Sequence, residues 1–333
     1  MKTTITDVAK QAGVSMKTVS RVLNNEPNVA KATRERVREV AERLQYSPNL
    51  AARGLASSRS YLIGLIYGNP SPSYINNIQR GAIEACRAHG YHLLLEPMTL
   101  EQAEGEDLRA RLRRSGVDGV ILTAPLCDSQ KLRKSLDALD IPFVAVAPED
   151  PGEVRTVRMD DNEAAYRMTR FLIESGHSDI GFVVGPPDHA ASALRLSGFR
   201  RALADSDLQV TPSRIVQGDF SFRSGVSAGQ TLLKDRGDRP TAIFASNDDM
   251  ATGVMSVAGR LGLAVPEEIS ICGFDDTPIA RIIWPQLTTV AQPIQSMGYK
   301  AAEMLVSRTA EPTSTVHTLD FALVIRESTA PRH

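Results

Sequence analysis

Within VSMKTVSRVLN, residues 14–24, Lys17 and Arg21 stand four positions apart, with Met16 and Ser20 beside them. On a helix this spacing stacks two cations one turn apart, flanked by a hydroxyl and a flexible apolar chain. Such a face can donate to guanine O6 and N7 through Lys17 and Arg21. Ser20 can donate or accept, and Met16 can pack on a thymine methyl. The opposite face carries Val19, Val22 and Leu23 at the spacing of a buried stripe. Other polar groups gather far downstream in the turn-rich segments YGNPSPSY, TAPLCD, GPPDHAAS, SNDD and GFDDTP. Taken alone, GFDDTP could pass for a catalytic acid pair.

A base-reading helix must be presented by a partner, and the first ~45 residues read as three short helices. Thr6 can cap the first, with Asp7 in its opening turn, Val8, Ala9 and Ala12 as its apolar stripe and Gly13 at its end. Ser15 caps the second after a tight turn, which makes the pair a helix-turn-helix. Thr33 starts the third, where Val37, Val40, Ala41 and Leu44 form one face and Arg34, Arg36, Arg38 and Arg43 fall mostly elsewhere. With no aromatic before Tyr46, this core is small.

Charge separates this head from the rest. Residues 1–60 hold 11 Lys/Arg against 5 Asp/Glu, and the remainder 27 against 34. A basic head on an acidic body points to a polyanion partner for the head alone. Next comes YSPNLAARGLASSRS, residues 46–60, where Pro48 suits the first position of a helix of about two turns. So short a helix, with Gly54 inside it, is marginal in water and reads as a linker ordered only when held.

From Tyr61 the apolar runs LIGLIY, YHLLLE, GVILTA, FVAVA, IGFVVG, AIFAS and ISICGF alternate with amphipathic stretches near 74–89, 104–115, 128–139, 163–175, 192–204, 222–236 and 248–262. That alternation predicts an α/β body of parallel sheets covered on both faces, as one large sheet or two lobes. Ligands favour the carboxyl ends of such strands, where the polar loops lie. Cys86, Cys127 and Cys272 are scattered and odd in number, so reduced thiols in a cytoplasmic protein are expected rather than a disulfide framework or zinc site. The opening MKTTITDVAK has no secretory apolar core, and no apolar run suits a membrane span. Neither a phosphate-binding glycine loop, a metal-binding His-Glu helix nor a nucleophile elbow is found, so no cofactor or metal is expected.

TDVAKQAGVSMKTVSRVLN, SPNLAARGL and SYLIGLI, followed in order by GHSDIGFVVG, RLSGFRRAL, IFASNDDMATG, ISICGFDDTP, PQLTTV and LVIREST, resemble the lac/gal repressor family of bacterial transcription regulators. The resemblance implies a λ-repressor-like three-helix head (1–46), a hinge helix and linker (47–60) and a two-lobed body of the type I periplasmic-binding fold (61–333). The N-lobe would comprise about 61–160 and 291–320, the C-lobe about 161–290 and 321–330. It implies a homodimer on a near-palindromic double-stranded operator, contacted by Thr6, Ser15, Met16, Lys17, Thr18, Ser20, Arg21 and Asn24. Met16-Lys17 departs from the Tyr-Gln pair of the family's best-known member, so that operator is not assumed. Hinge contacts would come from Asn49, Ala52, Arg53 and Leu55, with Leu55 wedged into a base step.

Position by position, the resemblance also implies effector contacts from Thr123, Ser192, Arg195, Phe220, Asn247, Asp249 and Asp275, and a carbohydrate as effector. Asp248 and Asp276 read better as caps, and Arg195 could instead pair with a structural carboxylate. Trp284 fits a cleft wall or a core position, and His177 a helix end. A co-repressor such as a purine, an enzyme acting on sugars and a solute-binding protein remain the alternatives.

Overall fold

The computed structural model describes residues 3–23, 27–46, 59–307 and 316–332. The expected hinge contacts Asn49, Ala52, Arg53 and Leu55, and Asn24 of the head, lie outside the described residues. The chain divides into two compact units, residues 1–61 and 62–333.

In the first unit α1 (Ile5–Ala12), α2 (Met16–Leu23) and α3 (Lys31–Arg43) enclose Val8, Ala9, Ala12, Val19, Val22, Val37, Val40 and Ala41. Burying each valine contributes about 1.5–3 kcal/mol, so this cluster of Val and Ala is a modest core. Two expected helix starts move. The cap of α1 is Thr4 rather than Thr6, because Asp7 reaches back to the Thr4 amide while the Thr4 hydroxyl accepts from the Asp7 N–H. α3 begins at Lys31 rather than Thr33, since the Arg34 N–H already closes a turn on the Ala30 carbonyl at 3.0 Å without a side-chain cap. Gly13 turns the chain between α1 and α2 at φ +64°, a left-handed backbone that favours glycine.

The second unit begins with β1 (Leu62–Tyr67), α4 (Pro72–Ala88), β2 (His92–Pro97), α5 (Leu100–Glu104), α6 (Glu106–Ser115), β3 (Gly119–Thr123), α7 (Gln130–Asp137), β4 (Phe143–Val146) and β5 (Thr156–Arg158). It crosses into α8 (Asp161–Glu174), β6 (Ile180–Val184), α9 (Ala190–Ala204), β7 (Ile215–Gln217), α10 (Phe222–Leu232), β8 (Ala242–Ala245), α11 (Asp248–Arg260), β9 (Ser270–Phe274), α12 (Pro278–Ile282) and β10 (Thr288–Ala291). It then returns through α13 (Ile294–Val306) and β11 (Val316–Thr318), and ends in β12 (Ala322–Val324).

Among the described residues these strands form two six-stranded sheets, ordered β11-β5-β4-β3-β1-β2 and β12-β10-β9-β8-β6-β7. All pairings are parallel except β10 with β12. Most of the near-continuous apolar runs become central strands, and β3, β6, β8 and β9 are buried along their whole length, whereas YHLLLE becomes the edge strand β2, exposed or half-buried throughout. In each sheet the strand order reverses between neighbours, β1 with β3 and β6 with β8, which opens a crevice at their carboxyl ends.

Candidate functional site

In the head, Ser15 organises the start of α2: its hydroxyl accepts from the Thr18 N–H at 3.1 Å and shares a hydrogen bond with the Thr18 hydroxyl at 2.9 Å. Val19 and Val22 are fully buried, which turns Met16, Lys17 and Arg21 outward. Met16 is 53% exposed, and its sulfur accepts from the Thr6 hydroxyl at 3.4 Å. Thr6 is thus a link between α1 and α2 rather than a cap. Thr18 and Ser20 are half-buried. The resulting face carries two exposed cations, one turn apart, beside a flexible apolar chain.

In the body a cleft gathers residues from loops after strands of both sheets: Ser71, Ala124 and Ala147 from one, His189, Phe220, Asn247 and Asp275 from the other. Arg195, on α9, is its electrostatic centre and is 4% exposed. Its Nε donates to Asp161 Oδ1 at 2.8 Å, one terminal nitrogen donates to the Ser246 carbonyl, and the other to Gln292 Oε1 at 3.4 Å. The guanidinium lies 3.5 Å over the Phe274 ring and 5.8 Å from that of Phe220. Burial pushes the carboxyls of Asp161 and Asp275 up, and Arg195 opposes the shift in both.

The backbone around this cleft is held in unusual conformations. Ala147, Phe220 and Asp275 have φ of +54°, +66° and +112°, values non-glycine residues adopt at a cost of about 1–3 kcal/mol each. Asn247 caps α11 by accepting from the Met250 N–H and donates to the Phe220 carbonyl, both at 2.9 Å, which fixes the Phe220 turn. Gly185 leaves room for that ring: a methyl there would stand 2.3 Å from it and 2.5 Å from Ser192 Oγ.

Asp248 has no exposed surface and accepts from the Thr277 N–H at 2.7 Å, the Thr277 hydroxyl at 3.0 Å and the Thr289 hydroxyl at 2.6 Å. Burial pushes its carboxyl up to about 7. These bonds pin the loop that carries Asp275. Asp276 instead takes Arg281 and Arg326, each at 2.6 Å. The two carboxylates of GFDD therefore part, one lining the cleft and one in a structural ion-pair cluster. Asp249 accepts from the Ser71 hydroxyl at 2.8 Å, a hydrogen bond that spans the cleft; burial raises its carboxyl and Ser71 opposes the shift.

Of the sequence-derived effector contacts, Arg195, Phe220, Asn247 and Asp275 line the cleft together. Thr123 and Ser192 are buried beside it, and Asp249 stands at the Ser71 bridge. His189, Asp161 and Gln292 also line it, though the sequence offers no local pattern that singles them out, and so does Tyr74, whose place after the turn-rich NPSPS suits either a cleft or a dimer face. Among the described residues, four buried polar side-chain atoms have no hydrogen-bond partner: Thr123 Oγ1, Ser192 Oγ, His189 Nε2 and Asp275 Oδ1. All four belong to residues lining the cleft or one position from it in sequence. Buried polar atoms without a hydrogen bond cost stability, and here they gather at one place.

Trp284 is 80% exposed, and so neither a cleft wall nor a core residue. His177 is buried, with Nδ1 2.9 Å from the Thr241 hydroxyl and Nε2 3.1 Å from the Ala330 carbonyl; burial lowers its pKa. The three cysteines are free and buried, and burial raises each thiol. Among the described residues no group of His, Cys, Asp and Glu could hold a metal ion, and no helix is long and apolar enough to cross a membrane.

Residues 4–49 match the family described as bacterial regulatory proteins, lacI family, and residues 169–329 match the periplasmic binding protein-like domain. The chain is 36% identical to catabolite control protein A of Priestia megaterium, over 99% of this chain and 100% of that protein. A solved complex of the transcriptional regulator CelR with cellobiose is 32% identical, with a TM-score of 0.73 over 98% of this chain and 100% of that one. The lac repressor dimer bound to operator and an anti-inducer is 28% identical, with a TM-score of 0.81 over 99% and 100%.

Proposed function

This chain belongs to the lacI family of bacterial regulatory proteins, DNA-binding transcriptional regulators rather than enzymes, and from that premise we propose a cytoplasmic homodimeric repressor released from a near-palindromic operator by a small carbohydrate. Met16, Lys17, Ser20 and Arg21 read base edges, while Thr6, Ser15, Thr18 and Asn24 position the head on the backbone. The hinge segment with Asn49, Ala52, Arg53 and Leu55 folds on the duplex, and Leu55 enters a central base step. The two-fold contact falls on the body, and Ile282 and Trp284, two positions apart and 76% and 80% exposed, are candidates for it.

The observation that carries the choice of effector is Asp275 Oδ1, buried without a hydrogen bond and 3.9 Å from a guanidinium already engaged by Asp161, Ser246 and Gln292. A cleft with two carboxylates against one occupied arginine wants hydrogen-bond donors, not a net negative charge. Hydroxyls supply them, His189 and Asn247 bind further oxygens, and the Phe220 ring packs on C–H groups. Cellobiose in the related CelR complex is a molecule of this class.

Thermal unfolding with neutral sugars, paired with operator binding, tests the reading. A sugar at 100 times its Kd adds about 2.7 kcal/mol of stability, a rise of a few degrees in Tm. The same sugar should weaken operator binding. A sugar that strengthens it would make the effector a co-repressor, and a panel in which no sugar shifts Tm would overturn the carbohydrate reading.

A further inference from the structure

A second recess opens from the cleft. It shares Ala147, Asp161 and Ala191 with the first chamber and is the roomier of the two. Its remaining walls are of two kinds. Met159 and Leu194 are apolar, Leu194 being 39% exposed, whereas Arg158, Asp160 and Thr318 are polar. Arg158 and Thr318 are paired across β5 and β11, so both project from one place in the sheet. Among the described residues the Arg158 guanidinium makes no hydrogen bond or ion pair. Half-buried on the recess wall, this planar five-donor group is placed to meet an acceptor on a ligand.

We propose that this recess is a second glycosyl subsite and that the effector is a neutral disaccharide, one ring at Arg195 and Asp275 and the other against Arg158. This rests on the carbohydrate reading and extends it. A pyranose has a rim of hydroxyls and an apolar C–H face, and the recess offers a matching arginine and threonine rim with Met159 and Leu194 beside it. A phosphorylated ring fits worse. One Oδ atom of Asp160 caps α8 by accepting from the Glu163 N–H at 2.9 Å, and Asp161 adds a second carboxylate, so a dianion would meet two like charges for one cation.

The position matters as much as the chemistry. Arg158, Met159 and Asp160 form the stretch that leads from β5 into α8, and Thr318 ends β11 before the chain enters β12. These are passages between the two sheets. A second ring therefore touches segments on which the two lobes are joined, and a disaccharide gains a handle on lobe geometry that a single ring lacks.

Isothermal titration of the full-length protein compares neutral disaccharides (maltose, lactose, trehalose, melibiose and cellobiose) with glucose, galactose and glucose 6-phosphate. At least one disaccharide should bind roughly tenfold or more tightly than its constituent sugars, a difference of about 1.4 kcal/mol. Arg158→Ala should remove that advantage and leave the monosaccharide affinity within about twofold. Thr318→Val, a change at the same rim without loss of charge, should reduce the advantage in part. If monosaccharides match every disaccharide, if glucose 6-phosphate binds better than both, or if Arg158→Ala weakens one ring and two alike, the subsite is wrong while the carbohydrate reading stands. Absence of binding by any sugar would remove both.

Discussion

Lys17 and Arg21 stand exposed on α2, whereas Arg195 is 4% exposed and held by Asp161, Ser246 and Gln292. Both regions rely on cations, yet for different tasks. The head has to meet a polyanion from water, so its charges stay hydrated and reach outward over a small Val and Ala core. Their contribution to folding is correspondingly slight. The cleft has to recognise a small molecule against water, so its polar atoms are desolvated and held by Asn247, Gly185 and the Asp248 loop. There the groups proposed to bind also hold the fold.

The largest expected effect follows from that difference. Arg195→Ala should abolish the ligand response and also leave Asp161 as a buried carboxylate without its partner, a loss of about 3–5 kcal/mol. Calorimetry and ligand titration would show both losses together, with operator affinity in the absence of ligand nearly unchanged. If Arg195→Ala unfolds at the wild-type temperature, the cleft is not preorganised in the way described. On the other side of the comparison, Lys17→Ala should leave Tm unchanged. It should relax base preference at one operator position by about 1–3 kcal/mol in a binding assay over variant sites. A uniform loss across all sequences would reduce Lys17 to a phosphate contact.

The same contrast decides what could be read from the chain beforehand. A face presented by one helix is local, so the outward placement of Met16, Lys17 and Arg21 is legible from an eight-residue pattern, as are the core strands from runs such as LIGLIY and IGFVVG. Short polar strands were not: TVR, IVQ and VHT carry too few apolar residues to announce β5, β7 and β11. Nor was α13 separated from its surroundings. The helix starts were misplaced because Thr4 gains from Asp7 three residues on, and because a backbone carbonyl suffices at Ala30. The cleft was legible only where resemblance supplied it. Asp161, His189 and Gln292 come from three distant segments, and only the two sheets bring them to Arg195 and Phe220.

Two smaller experiments probe how firmly the cleft is held. The Ser71 hydroxyl donates across it to Asp249, so Ser71→Ala should remove about 0.5–1.5 kcal/mol from the arrangement in which the two lobes meet at this bond. Weaker closure without ligand shifts the balance of lobe states, and ligand on-rates followed by stopped flow should rise in Ser71→Ala. Unchanged kinetics would mean that this bond does not gate entry.

The smallest expected signal is a slope. Asp248 holds its proton more firmly in the folded chain, with a pKa pushed from 3.8 up to about 7 by burial. Between those values the folded state is the proton-richer one. The stability contributed by this carboxyl is therefore fully present below 3.8, falls as pH rises toward about 7, and stays flat above. Asp161, Asp249 and Asp275, also raised by burial, act in the same direction, while His177, lowered by burial, acts in the opposite one. A wild-type profile alone therefore mixes several groups, and the informative quantity is the difference from Asp248→Asn. That variant keeps an acceptor for Thr277 or Thr289 but cannot titrate, so its Tm, though lower throughout, should decline less between pH 5 and 7. Parallel profiles would show that Asp248 keeps one protonation state across this range, and that its three hydrogen bonds hold the Asp275 loop independently of pH.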